Sequence, residues 1–165
     1  MNRLLIPTLK SLCLLVAFGP LPLSSSAQDK NADIYGDWKI TSFAGTADSF
    51  GLTQRQINGL IGKPVVIRPD LFVFNGKACE RTTYSRSTEE TTNYFRREWQ
   101  ANSAELPLPN PVNIIKTGCN MLYTIRKDHI LVAEQSGAFF EAVRVKGVPR
   151  GLIKVSKKLR RGLQR

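Results

Sequence analysis

From Pro64 onward, turn residues cut the chain into short apolar runs, and this punctuation constrains the fold more than any other feature. Val65-Val66-Ile67 stops at Arg68-Pro69-Asp70, and Leu71-Phe72-Val73-Phe74 stops at Asn75-Gly76. Asn-Gly between two apolar runs is a strong hairpin signal, because both residues tolerate positive φ. Further strands are expected over Ala78–Ser85, Asn93–Trp99, Val112–Lys116, Asn120–Arg126, His129–Glu134 and Ala138–Val145. Lys127-Asp128 and Gln135-Ser136-Gly137 separate the last three as tight hairpins. Proline at every second position in 107–111 keeps that stretch out of a central ladder, so it reads as a surface loop. Ser85–Thr92 reads as a polar loop. Upstream, Asp37–Thr41 alternates, with Trp38 and Ile40 on one face. Thr53 and Gln56 form a capping box ahead of a helical stripe of Ile57, Leu60 and Ile61, and Gly62 is placed to end it. The pattern predicts an all-β protein: an antiparallel barrel of eight or nine strands, with one short helix after the first strand.

A chain of 165 residues holds one ordinary domain. Residues 1–27 have the order of a secretory signal peptide: Arg3 and Lys10 without acids, a short apolar run, and Ser24-Ser25-Ser26-Ala27 at the exit. The greasy stretch is too short for a permanent span. Processing would leave a domain over 28–145 in a periplasmic or secreted setting, with Cys79 and Cys119 as its cysteines. An even pair in an oxidising compartment predicts a disulfide. Closing a loop of roughly 40 residues contributes on the order of 3–4 kcal/mol by the chain-entropy model.

The formal charge of +11 is unevenly placed. Residues 28–145 carry 14 Lys+Arg against 13 Asp+Glu, whereas 146–165 carry eight basic residues and no acid. The basicity therefore belongs to a tail, and a nucleic-acid partner is not expected. Leu152, Val155, Leu159 and Leu163 recur at helical spacing, with Lys154, Lys157, Lys158, Arg160 and Arg161 elsewhere on the wheel. That pattern suits docking on an anionic membrane or envelope surface.

Gly36-Asp37-Trp38 opens the first strand and Arg144 sits in the last. These residues resemble the signature of the lipocalin and avidin-like barrels (calycins). The resemblance implies that Arg144 packs over Trp38, beside Gly36, to close the barrel floor. A guanidinium flat on an indole gains roughly 1–2 kcal/mol where partly desolvated. The chain is similar, more weakly, to the periplasmic metalloprotease-inhibitor barrels of bacteria, whose inhibitory N-terminal segment would correspond to Gln28–Tyr35.

Catalytic constellations are not evident. Gly76-Lys77 lacks the remaining phosphate-loop residues, and Glu89-Glu90 lie together in the expected polar loop. His129, the one imidazole, is expected as an exposed strand-edge residue; no metal or cofactor is expected. Binding is better supported. On the expected strands, Tyr84 with Arg86, and Phe95 with Arg97 and Trp99, share faces, and Arg97 beside aromatics would suit a ligand carboxylate, phosphate or sulfate. The sequence thus points to a non-catalytic binding protein of the bacterial cell envelope. Its partner would be a small amphiphile in the barrel, an anionic surface through the tail, or both. The alternative is a protein inhibitor of a secreted hydrolase, of protease or lysozyme type.

Overall fold

The structure is a computed structural model that describes residues 29–80 and 82–147. The expected leader, and the tail residues Lys154, Lys157, Lys158, Arg160 and Arg161, lie outside the described residues. Along the chain run β1 (Gly36–Thr46), α1 (Gln54–Leu60), β2 (Pro64–Arg68), β3 (Leu71–Phe74), β4 (Lys77–Ala78) and β5 (Ser85–Glu89). Then come α2 (Thr91–Trp99), a 3-10 turn (Ser103–Glu105), β6 (Val112–Lys116), β7 (Met121–Arg126), β8 (His129–Ala133) and β9 (Ala138–Arg144). The strands form one antiparallel sheet in the order β4-β3-β2-β1-β9-β8-β7-β6-β5. The first and last strands are therefore neighbours at its centre.

Curling follows from β1. This strand has 11 residues and two bulges against β9, between Ile40 and Ser42 and between Phe43 and Gly45. Bulges bend a strand and increase its twist, and the bent sheet wraps one face around a core. Trp38, Ile40, Ile67, Phe72, Ile115, Leu122, Val132 and Phe140 fill that face, each almost wholly buried. Asn75 and Gly76 both have positive φ, as the two-residue turn joining β3 to β4 requires.

The fold is all-β and antiparallel as expected, with two differences. The barrel is open, since β4 and β5 form the edges of the sheet. Among the described residues there are also two α-helices where one was expected. α1 carries the anticipated capping box, with Ile57 and Leu60 buried, but Ile61 is exposed. The segment read as a strand over Asn93–Trp99 is instead most of α2. Thr91, Tyr94 and Phe95 fall on its buried side, and the Glu90 carboxylate caps it by accepting from the backbone N–H of Thr92 and of Asn93. The alternation of Phe95, Arg97 and Trp99 coexists with this helical spacing, and burial selects the helix. Its apolar side covers the outer face of the sheet, against Ile114, Tyr123, Leu131 and Phe139. The strand expected over Ala78–Ser85 shrinks to Lys77–Ala78. The supposed polar loop begins with β5, whose polar residues suit an edge strand.

Candidate functional site

At one end of the curled sheet Arg144 stands opposite Trp38 in the β1–β9 register, its guanidinium 4.2 Å from the indole centroid. Its Nε donates to Asp128 Oδ1 at 2.8 Å, Nη1 to the Tyr35 carbonyl at 2.6 Å, and Nη2 to the Asp33 carbonyl. Trp38 Nε1 donates to the Ile34 carbonyl at 2.9 Å. A Cβ at Gly36 would overlap Arg144 Nη1, so glycine is what allows the guanidinium to lie there. The turns over 30–34 are thereby drawn under the sheet, and Ile34 enters the core.

The open seam is held without a continuous ladder. Near its middle Phe72 N donates to Thr82 Oγ1 and the Tyr84 hydroxyl donates to the Leu71 carbonyl. Toward the floor Tyr84 meets Tyr35 edge-on at 5.7 Å, and Arg86 pairs with Asp33 at 2.7 Å. Burial, with the hydrogen bond to Asp29 adding to it, raises the Tyr35 phenol to about 12. Burial also raises Tyr84. Toward the other end, the Cys79–Cys119 disulfide joins the segment after β4 to the β6–β7 turn, with Cα atoms 5.9 Å apart.

That second end is the mouth. Beneath α1 and beside the disulfide lies a cavity of about 670 Å³. Leu52, Leu60, Phe72 and Phe74 supply apolar wall, and Lys63 and Lys77 stand at the exposed rim. Glu134 also lines it, but its carboxylate accepts from the Ser136 N–H at 2.7 Å and from the Ser136 hydroxyl. Neither lysine is in an ion pair with a described residue. The mouth therefore combines apolar surface with two lysines outside any such ion pair against one carboxylate, a net positive lining, and the volume lies within the usual range for small-molecule sites.

The residues singled out from sequence do not converge there. Tyr84 and Arg86 brace the seam. Phe95 is fully buried under α2, packed on Tyr123 and Phe139. Arg97 is at the surface, 5.6 Å from the Tyr94 ring centroid and paired with Glu89 at 2.6 Å and Glu98 at 3.0 Å. Trp99 is half-buried, its Nε1 donating to the Tyr123 hydroxyl at 2.6 Å. The helix at Asn93–Trp99 removes the shared strand face on which the grouping depended. Sequence reasoning missed Lys63 and Lys77, though each adjoins a recognised turn: Lys63 follows Gly62, and Lys77 follows Asn75-Gly76.

His129 is not at an edge, because β8 lies between β7 and β9. Its Nδ1 is 2.7 Å from Glu141 Oε1, and Ser42 Oγ donates to Glu141 Oε2 at 3.4 Å. The carboxylate thus separates hydroxyl from imidazole, an order that leaves His129 out of reach as a base for Ser42. Among the described residues no group of three or more His, Cys, Asp or Glu could hold a metal ion. No helix there is long and apolar enough to cross a membrane. Comparison with models of protein families, with curated proteins and with solved structures finds no match.

Proposed function

We propose that this is a non-catalytic binding protein, exported to the cell envelope, that holds a small anionic amphiphile in the mouth of its curled sheet. The observation carrying this reading is the cavity that sets Phe72 and Leu60 below two unpaired lysines, Lys63 and Lys77. An acyl or aromatic group would replace water over the apolar wall, contributing about 25 cal/mol for each Å² of apolar surface removed from water. A carboxylate, sulfate or phosphate would remain at the wet rim, where the lysines attract it in a salt-dependent way. The stack of Arg144 on Trp38 supports the lipocalin-like form of the reading. Export is supported by the leader-like sequence and by the disulfide. Docking of the basic tail on an anionic surface remains part of the proposal, resting on the charge pattern alone.

The hydrolase-inhibitor reading gains less. An inhibitory N-terminal segment should project, whereas Asp29–Tyr35 folds back beneath the floor, with Ile34 buried and Tyr35 bonded to Asp29.

Isothermal titration of the full chain with sodium dodecanoate, below its micelle concentration, tests the mouth. Saturable binding of one equivalent is expected, weakened about tenfold in Lys63→Gln/Lys77→Gln, the loss of roughly 1.4 kcal/mol. Equal affinity in wild type and double variant, or no saturable binding, would refute the reading.

A further inference from the structure

A second concave surface lies outside the mouth, on the outer wall, and the proposed function leaves it unused. It consists of three hollows of about 810, 470 and 410 Å³ that meet at Asp48. Phe50 lines two of them, Trp99 lies in the largest, and Phe43 lies in the next. Gln100 and Asn102 connect them to the third.

The loop carrying Asp48 and Phe50 is fixed from both sides. Ala47 N donates to the Gly137 carbonyl at 2.7 Å, Gly51 N to the Ser136 carbonyl at 3.0 Å, and Asp48 N to the Gln100 carbonyl at 3.3 Å. Gly137, at φ +88°, is approached so closely by the loop that a Cβ would stand 2.6 Å from the Ser49 carbonyl oxygen. This fixed loop holds Phe50 at 47% exposure, and Phe43 beside it is at 40%. The Asp48 carboxylate and the Gln100 side-chain amide have no partner among the described residues. The braced backbone fixes where these rings and polar groups stand, so a ligand has only side-chain rotamers left to order.

We propose that this groove binds a neutral oligosaccharide. A pyranose ring presents an apolar C–H face and an equatorial fringe of hydroxyls. The rings of Phe50, Phe43 and Trp99 suit the face, and the carboxylate of Asp48, the amide of Gln100 and the side-chain NH2 of Asn102, whose Oδ1 accepts from the Ala104 N–H, suit the hydroxyls. Other ligand classes fit less well. An extended peptide could pair with only a short length of strand, because β1 supplies Phe43, Gly45 and Thr46 alone and the remaining wall is α1, a loop, the end of α2 and the 3-10 turn. An anionic polymer would meet Asp48 and Glu105 against Arg96, Glu98 being paired with Arg97. The charge at this groove is thus opposite in sign to that at the mouth.

The test uses tryptophan emission of the full chain, because Trp38 is buried in the core and Trp99 lines the groove. Chitotetraose, cellotetraose and a heparin hexasaccharide serve as probes. A saturable change with at least one neutral tetrasaccharide, and none with heparin, is expected. Asp48→Asn and Phe50→Ala, both at exposed positions, should each weaken that binding by about tenfold, whereas Lys77→Gln should leave it unchanged. Lack of saturable response to both neutral probes would overturn the proposal, as would affinity unaltered in Asp48→Asn and Phe50→Ala. Preference for heparin would overturn the ligand class.

Discussion

Among single residues, one guanidinium ties the floor of the sheet together. Arg144 stacks on Trp38 and bonds to Asp128, Tyr35 and Asp33, groups supplied by two separate parts of the chain, the turn before β8 and the segment before β1. Lysine could supply the charge but not the flat fork. Arg144→Ala is expected to cost about 2–4 kcal/mol, because several charge-assisted bonds go with the stack. Gly36→Ala should cost about 2–3 kcal/mol by displacing the same group. The two losses should not add: in an Arg144→Ala background the alanine at position 36 has nothing to displace. Urea unfolding of the four proteins of this cycle checks it. Additive losses would show that Gly36 and Arg144 act independently. Gly36, Trp38 and Arg144 could be picked out from sequence through their resemblance to the Gly-x-Trp and last-strand Arg signature of lipocalin-like barrels, while alternation placed only Trp38, with Ile40, on one face. The carbonyl partners in 33–35 could not, since backbone acceptors carry no side-chain signal.

At the scale of elements, the strands after Pro64 were readable because turn residues set their boundaries, and β6 matches its expected limits residue for residue. α2 was not. Over nine residues, an alternating reading and a helical one both collect aromatics, and only the apolar outer face of β6–β9 decides between them. The same tertiary cause split the expected ligand cluster into a core residue, a surface ion pair and a groove residue. Phe95→Ala should therefore destabilise by about 3–5 kcal/mol, while Arg97→Ala leaves the Tm essentially unchanged, as exposed pairs usually do. Thermal unfolding followed by circular dichroism tests both, and a large loss at Arg97 would contradict the helix packing. The cap adds a pH dependence. The N–H groups of Asn93 and Thr92 hold the Glu90 carboxyl below its ordinary value of 4.5. With the folded pKa lower than the unfolded one, the stabilisation is present above the unfolded value and is lost as pH falls through the folded one. The Tm gap between wild type and Glu90→Gln, open at about pH 6, should narrow as pH is taken progressively below the ordinary 4.5. A gap that persists in acid would show that the ionised carboxylate is not the cap.

At the scale of the whole molecule, a sheet whose edges do not ladder is closed by side chains and one covalent link. Replacing both Cys79 and Cys119 by alanine should lower stability by about 3–4 kcal/mol, measured by chemical unfolding under non-reducing conditions. An unchanged midpoint would mean that the seam is held by its other contacts. All four tyrosines (35, 84, 94 and 123) are held protonated above the ordinary 10.0, in each case first by burial. Their raised folded values leave stability intact below about pH 10 and remove it as pH climbs through the folded values. Phenolate absorbance should therefore rise together with loss of the sheet; a phenol titrating near pH 10 in a folded chain would contradict the packing of seam and outer wall. Amide chemical-shift mapping of the full chain with sodium dodecanoate locates the ligand at the mouth or elsewhere. Saturable shifts are expected at Gly59, Lys63, Asn75, Lys77 and Asn120, around the cavity, with Trp38 and Arg144 at the floor unmoved. Shifts centred on the floor or the outer wall, or no shifts at all, would contradict binding at the mouth.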